Sequence, residues 1–147
     1  MSDANKAVVR RFYEDMLTGH HLEVAGELFT EDFVDHDAES PEGRLSGIEG
    51  AKQEVGVYIQ AFPDLVVTIE DCLAEGDRVA IRGVLTGTHR GELAGIPATG
   101  QPVKVTVQQS FRLRDGKIAE AWLEIDRLGI LQQIGAIPAP TAAASGG

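Results

Sequence analysis

Cysteine is nearly absent. The 147 residues hold one, Cys72, so neither an internal disulfide nor a cysteine-built metal cluster can form. A single thiol in a β-branched stretch reads as a small buried hydrophobe. Basic side chains are scarce too: 13 Lys and Arg stand against 23 Asp and Glu, a formal net charge of −10. Nucleic-acid backbones are held by clustered Lys and Arg, so this balance argues against a nucleic-acid partner and against an anionic membrane surface. No run of about 18 apolar residues occurs, so no membrane-spanning helix is expected. The N-terminal stretch Met1-Ser2-Asp3-Ala4-Asn5-Lys6 lacks the basic-then-apolar order of a secretory signal, and the expected compartment is the cytoplasm.

What is present suits one globular domain. Hydrophobic residues make up 43% and charged residues 24%, ordinary values for a chain long enough to bury a single core. The domain is expected over residues 1–137. Residues 138–147, Pro-Ala-Pro-Thr-Ala-Ala-Ala-Ser-Gly-Gly, read as a flexible low-complexity tail.

Periodicity orders the rest. Val8, Val9, Phe12, Met16 and Leu17 recur at helical spacing, predicting a helix from about Ala4 to Leu17, with Asp3 as N-cap and Gly19 supplying a positive φ at the C-cap. A short helix is predicted near Leu22–Phe29, followed by an extended segment through Phe33 to Asp37 and a polar loop over 38–46. A third helix, about Ile48–Phe62, carries Ala51, Val55, Tyr58 and Ile59 on one stripe and stops before Pro63. The pattern then turns extended. Strands are predicted at Leu65–Ala74, Arg78–His89, Val103–Leu113 and Lys117–Asp126, the last two joined by the hairpin signal Asp115-Gly116. A helical turn over Leu128–Ile134 closes the domain. Helices segregated from strands mean an α+β fold: three N-terminal helices packed on a curved four-stranded antiparallel sheet, forming a cone with an internal pocket.

The Asp115-Gly116 turn also predicts a register. Pairing Arg114 with Lys117 and counting outward puts Gln109 opposite Trp122, Val107 opposite Glu124 and Val105 opposite Asp126. Opposed residues share a face, so Val105, Val107, Gln109, Phe111, Trp122, Glu124 and Asp126 would line the pocket. Leu123 and Ile125 would face outward, on a surface suited to a second subunit. A one-residue slip exchanges the two faces.

Several motifs in order resemble one family. They are Phe62-Pro63-Asp64-Leu65, Glu75-Gly76-Asp77-Arg78-Val79-Ala80, Gly87-Thr88-His89-Arg90-Gly91, Gly95-Ile96-Pro97-Ala98-Thr99-Gly100, Gly116-Lys117-Ile118-Ala119-Glu120-Ala121-Trp122 with Asp126, and Leu128-Gly129-Ile130-Leu131-Gln132-Gln133-Ile134-Gly135. Together they resemble the SnoaL-like polyketide and ester cyclases, over about Asn5 to Ile137. The resemblance implies a ketosteroid-isomerase-like cone. It also implies a cofactor-independent intramolecular aldol closure on a small hydrophobic, polyketide-like carbonyl substrate, in which Asp126 matches the family's acid/base aspartate. Related members act in hydroxylation or isomerisation steps. The family's neighbouring-strand histidine has no counterpart between Val103 and Leu113, where Gln109 is the nearest polar candidate. Glutamine can donate a hydrogen bond to an enolate oxygen but cannot relay a proton.

The candidate catalytic residues are therefore Asp126, His36 and Gln109. The candidate substrate-binding residues are Trp122, Glu124, His89, Tyr58, Phe62, Phe12 and Val107. Each has a plainer reading: Asp126 as a cap of the following turn, Glu124 as an ion-pair partner, Trp122 as core, His36 as a turn residue, His89 as a strand-end residue. His20 and His21 read as surface. Asp35, His36 and Asp37 lack metal-ligand spacing, so no metal is expected there, and the resemblance implies no cofactor. A homodimer or homotetramer built through the sheet is expected. The alternatives to an enzyme are a non-catalytic small-molecule binder and an assembly domain, the latter with a narrow or side-chain-filled cavity.

Overall fold

The computed structural model describes residues 2–36 and 45–138. The expected tail beyond Pro138, most of the 38–46 loop and Asp37 lie outside the described residues.

Helix α1 (Ser2–Arg11) runs directly into a π-helical segment, Phe12–Thr18. Asp3 sits inside the first turn rather than capping it. The wider turn is closed by Gly19 N–H donating to Glu14 O at 2.9 Å. It buries Phe12, Tyr13, Met16 and Leu17 together. Gly19 itself has φ −77; the positive φ falls on His20, at 61. A 3₁₀ turn, Leu22–Val24, leads into the single helical turn α2 (Ala25–Leu28). Strand β1 (Phe29–Asp35) and the two-residue β2 (Leu45–Ser46) follow, then α3 (Gly47–Ala61). The chain continues through β3 (Val66–Glu75), β4 (Arg78–Thr88), β5 (Pro102–Arg114), β6 (Lys117–Ile125) and α4 (Arg127–Gln133).

The α+β class holds, with a sheet larger than expected. Among the described residues six strands lie in the order β2-β1-β6-β5-β4-β3, and β1 runs parallel to β6, so the sheet is mixed. The polar run Thr30-Glu31-Asp32 hides β1 from an alternation test. The structure uses Phe29 and Phe33 to anchor the strand, both 2% exposed, and their rings meet edge-to-face at 4.7 Å. Arg114 clasps Asp32 from the far end of β5, at 2.6 and 3.1 Å.

The core fills the space between the helices and one face of the sheet. Phe12 packs edge-to-face on Tyr13, Phe29 and Phe111, with ring centroids 4.9, 5.6 and 5.8 Å away. Such pairs add about 0.5–1.5 kcal/mol each beyond area burial. Among the described residues, no helix is long and apolar enough to cross a membrane.

The hairpin between β5 and β6 decides which residues look inward. Asp115 and Gly116 have φ 53 and 78, a two-residue turn of the expected kind, and Arg114 pairs with Lys117 and Leu113 with Ile118 as expected. The register then shifts. Arg112 pairs with Glu120, Ser110 with Trp122, Gln109 with Leu123 and Val107 with Ile125. Ala119 is the extra residue of a β-bulge, and one extra residue turns every later side chain of β6 to the other face. The expected placement of Trp122 and Glu124 is thereby corrected: both are on the outer face, and Leu123 and Ile125 point inward.

Candidate functional site: a narrow apolar cavity with a tyrosine–glutamine pair

The cavity lies between the π-helical segment, α3 and the inner face of the sheet. Phe12, Tyr13 and Leu17 come from the first, Glu54, Val55 and Tyr58 from α3, and Val67, Leu85, Val107, Gln109, Leu123 and Ile125 from β3 to β6. The void is narrow, about 50 Å³, and opens into a funnel with about 430 Å³ of atom-free space including its mouth. Its apolar wall follows from strand alternation on three adjacent strands: Leu85 pairs with Val105, while Val107 and Gln109 pair with Ile125 and Leu123.

A polar contact crosses this wall. The Tyr13 hydroxyl donates to Gln109 Oε1. Tyr13 is 2% exposed, and burial, with a smaller contribution from nearby Cys72, pushes its phenol well above its usual range. It is therefore a neutral donor across the physiological range. By occupying Oε1, it turns the Gln109 amide so that the nitrogen, with its two N–H groups, is the end left to meet a ligand. The π-helical turn is what brings Tyr13 to β5, and such turns recur at functional sites.

Of the residues expected at the site, Gln109, Tyr58, Phe12 and Val107 line this cavity. The others stand elsewhere. Asp126 is exposed and caps α4, its Oδ1 accepting from Gly129 N–H at 2.8 Å. The bulge carries the end of β6 out of the expected register, so Asp126 has no place on the cavity wall. His36 lies on the outer face, stacked on Trp122 with centroids 4.9 Å apart and planes 9° apart, and its Nε2 is 3.0 Å from Glu120 Oε2. Arg112 holds the other Glu120 oxygen at 2.8 Å. The histidine contact and Arg112 outweigh desolvation and keep the Glu120 carboxyl below its usual range. Glu124 is exposed on the same outer face.

His89 is fully buried, but as a loop staple. Its Nδ1 is 2.9 Å from Thr99 Oγ1 and accepts from Thr99 N–H at 3.2 Å, fastening the Gly/Pro loop to the end of β4. Phe62, also fully buried, ends α3 and packs beside His89 with centroids 6.0 Å apart. Neither reaches the cavity wall. Among the described residues, no group of three or more His, Cys, Asp or Glu is placed to hold a metal ion.

Two polar lining residues lie outside the expected set, Tyr13 and Glu54. For Glu54 a signal existed. It precedes Tyr58 by four residues, so both project from one side of α3. For Tyr13 a signal existed as well, since at ordinary helical pitch it falls between Val9 and Leu17 on the apolar stripe.

An α+β domain with a mixed sheet, four α-helices among the described residues and an apolar cavity between helices and sheet is the class that fold and site define. The chain belongs to the SnoaL-like polyketide cyclase family, whose sequence profile matches residues 7–134. It is similar to a candidate SnoaL-like polyketide cyclase from Jannaschia sp. CCS1, at 29% identity over 93% of this chain and 95% of that one, with a TM-score of 0.84. It is also similar to AclR, a candidate hydroxylase from Streptomyces galilaeus, at 26% identity over 99% and 90% of the two chains, with a TM-score of 0.85. A third similar structure is IdmH, a candidate polyketide cyclase from Streptomyces antibioticus, at 34% identity over 89% and 98%, with a TM-score of 0.77. Among curated proteins none matches the chain.

Proposed function

We propose that the protein is a cofactor-independent acid/base enzyme that closes a ring on a hydrophobic, polyketide-like carbonyl compound by intramolecular aldol addition. The observation that carries this reading is the Tyr13–Gln109 pair set in a mostly apolar cavity. An aldol closure begins when a proton leaves the carbon beside a carbonyl and charge gathers on the carbonyl oxygen. An oriented amide N–H in a water-poor wall stabilises that oxygen, and removing such a donor typically costs about 10²–10³ in kcat. In this reading Gln109 takes that role and Tyr13 holds it. The enolate carbon then attacks the second carbonyl carbon, one C–C bond forms, and the new alkoxide takes back a proton. Membership of the polyketide cyclase family supports the substrate class. Asp126 and His36 have no role in this reading, because neither side chain borders the cavity.

The test is incubation with a panel of aromatic poly-β-ketone esters, followed by mass spectrometry and NMR. The expected product is isomeric with the substrate, or lighter by one water, and carries a new ring. Tight binding without product would remove the reading. The narrowness of the void favours a second reading, a non-catalytic binder of a smaller apolar ligand, and that same outcome would support it.

Association of copies through the sheet is also proposed, on altered grounds. Leu123 and Ile125 have turned inward, so the outer face would have to pair through Trp122 and the surrounding charged side chains. Light scattering at increasing concentration distinguishes a monomer from a dimer or tetramer.

A further inference from the structure

We propose that Glu54 is the general base of this cavity. The assignment rests on the acid/base reading above and names the group that takes the proton. Glu54 is the one carboxylate among the described residues that line the cavity. It lies in the middle of α3, on the same side as Tyr58, four residues on. Next to it in sequence Val55 is 3% exposed, so the helix is seated firmly at this point.

The arrangement separates two tasks. Glu54 stands on the helical wall. The Gln109 amide stands on the sheet, where Tyr13 fixes its direction. A carbonyl compound held between them meets a carboxylate on one side and an amide donor on the other. The carboxylate takes a proton from the carbon beside the carbonyl. The electron pair of that C–H bond moves into the enolate, whose oxygen accepts from the Gln109 N–H. After the new C–C bond forms, Glu54 returns the proton to the alkoxide. No electrons are gained or lost overall, and no co-reactant is needed.

The proton-transfer step can be tested without the natural substrate. 5-Nitrobenzisoxazole is a compact bicyclic compound. A base removes its one acidic C–H proton, the N–O bond breaks, and a coloured cyanonitrophenolate forms. The wild-type protein is expected to catalyse this elimination, with a rate that rises with pH as one carboxyl group ionises. Glu54→Gln should lower kcat/KM on the order of 10²-fold. Glu54→Asp should retain an intermediate rate and the same form of pH profile, and serves as the readout should the glutamine variant fold poorly. Glu49→Gln, an exposed change on the same helix, should match wild type. An inactive wild-type protein, or an undiminished rate in both folded Glu54 variants, would overturn the assignment. The outcome separates the two claims. Probe elimination that depends on Glu54, without ring closure of any poly-β-ketone, keeps the base and removes the cyclase. Ring closure that survives in Glu54→Gln keeps the cyclase and removes the base.

Discussion

Removing either member of the Tyr13–Gln109 pair should destabilise the protein more than removing both. In Tyr13→Phe the hydroxyl is gone, and Gln109 Oε1 is left facing a wall made of Phe12, Val107, Leu123 and Ile125. In Gln109→Leu the phenol, 2% exposed in the native protein, keeps its proton and has lost its acceptor. A buried polar group left unpaired costs about 1–3 kcal/mol, whereas replacing both partners by apolar groups of similar shape can be nearly neutral. Each single variant should therefore lose about 1–3 kcal/mol. The double variant should fall within about 1 kcal/mol of wild type, a coupling well above the few tenths expected of independent sites. With a urea m-value near 2 kcal/mol/M, each single variant shifts the unfolding midpoint by about 0.5–1.5 M, which circular dichroism resolves. Activity should behave differently. Tyr13→Phe keeps the amide donor and should lose less than Gln109→Leu, while the double variant should be well folded and as inactive as Gln109→Leu. Additive destabilisation in the double variant would refute the pairing argument. Full activity in Gln109→Leu would refute the role of the amide.

Three further outcomes test other placements. Asp126→Asn should leave stability and turnover almost unchanged, because asparagine caps a helix about as well, while Asp126→Ala should cost about 0.5–2 kcal/mol and lower Tm by roughly 2–4 °C per kcal/mol; a collapse of turnover in the asparagine variant would return Asp126 to the mechanism. Tyr13 holds its proton in the folded state far above the value for a free phenol, so the folded state binds more protons than the unfolded one at high pH. Stability should therefore fall as pH rises beyond about 10, and the 295 nm absorbance of this phenol should appear only on unfolding. Glu120 is shifted the other way: its folded value lies below the ordinary 4.5, so its stabilisation is complete above that pH and is lost as pH falls through the lower folded value. Urea midpoints measured from pH 6 to pH 3 should show a shallower acid decline in Glu120→Gln, and an unchanged decline would remove the His36–Glu120–Arg112 contacts as its source.

Much of the fold was legible because local rules agreed with one another. The Asp115-Gly116 hairpin and the stop at Phe62-Pro63 each rest on short-range chemistry, and each is present, whereas the expected order of three helices and then the strands is broken by β1 and β2, which stand between α2 and α3. The inner face of β6 was misassigned because two local rules disagreed. The turn set the first pairs, while the alternation Ala121, Leu123, Ile125 against Glu120, Trp122, Glu124 called for the opposite faces. The structure follows the alternation beyond the first pairs, and the bulge at Ala119 absorbs the difference. Burying three apolar side chains outweighs the local cost of one irregular residue. The π-helical form of Phe12–Thr18 was hidden by a different cause. A π-helical turn is stabilised by the tertiary contacts around it, here Phe12 and Tyr13 against Phe111, and no short stretch of sequence announces it.

The outward turn of Trp122 has a physical reason of its own. Arg78 on β4 sits directly opposite Arg112 on β5, and like charges in that relation repel. Strand β6 offers both guanidinium groups a partner. Glu120 takes Arg112 at 2.8 Å, and the Trp122 ring lies 5.0 Å beneath the guanidinium carbon of Arg78. His36 covers part of the indole through its stacking contact and reaches Glu120 with Nε2. An indole facing inward would leave Arg78 without that ring and would crowd a void of about 50 Å³. The residue that the turn register placed on the wall of a binding site is thus used to reconcile two arginines on the opposite surface. That leaves the inner face of β6 to Ala121, Leu123 and Ile125, and the polar chemistry of the cavity to residues contributed by the first and third helical segments and β5.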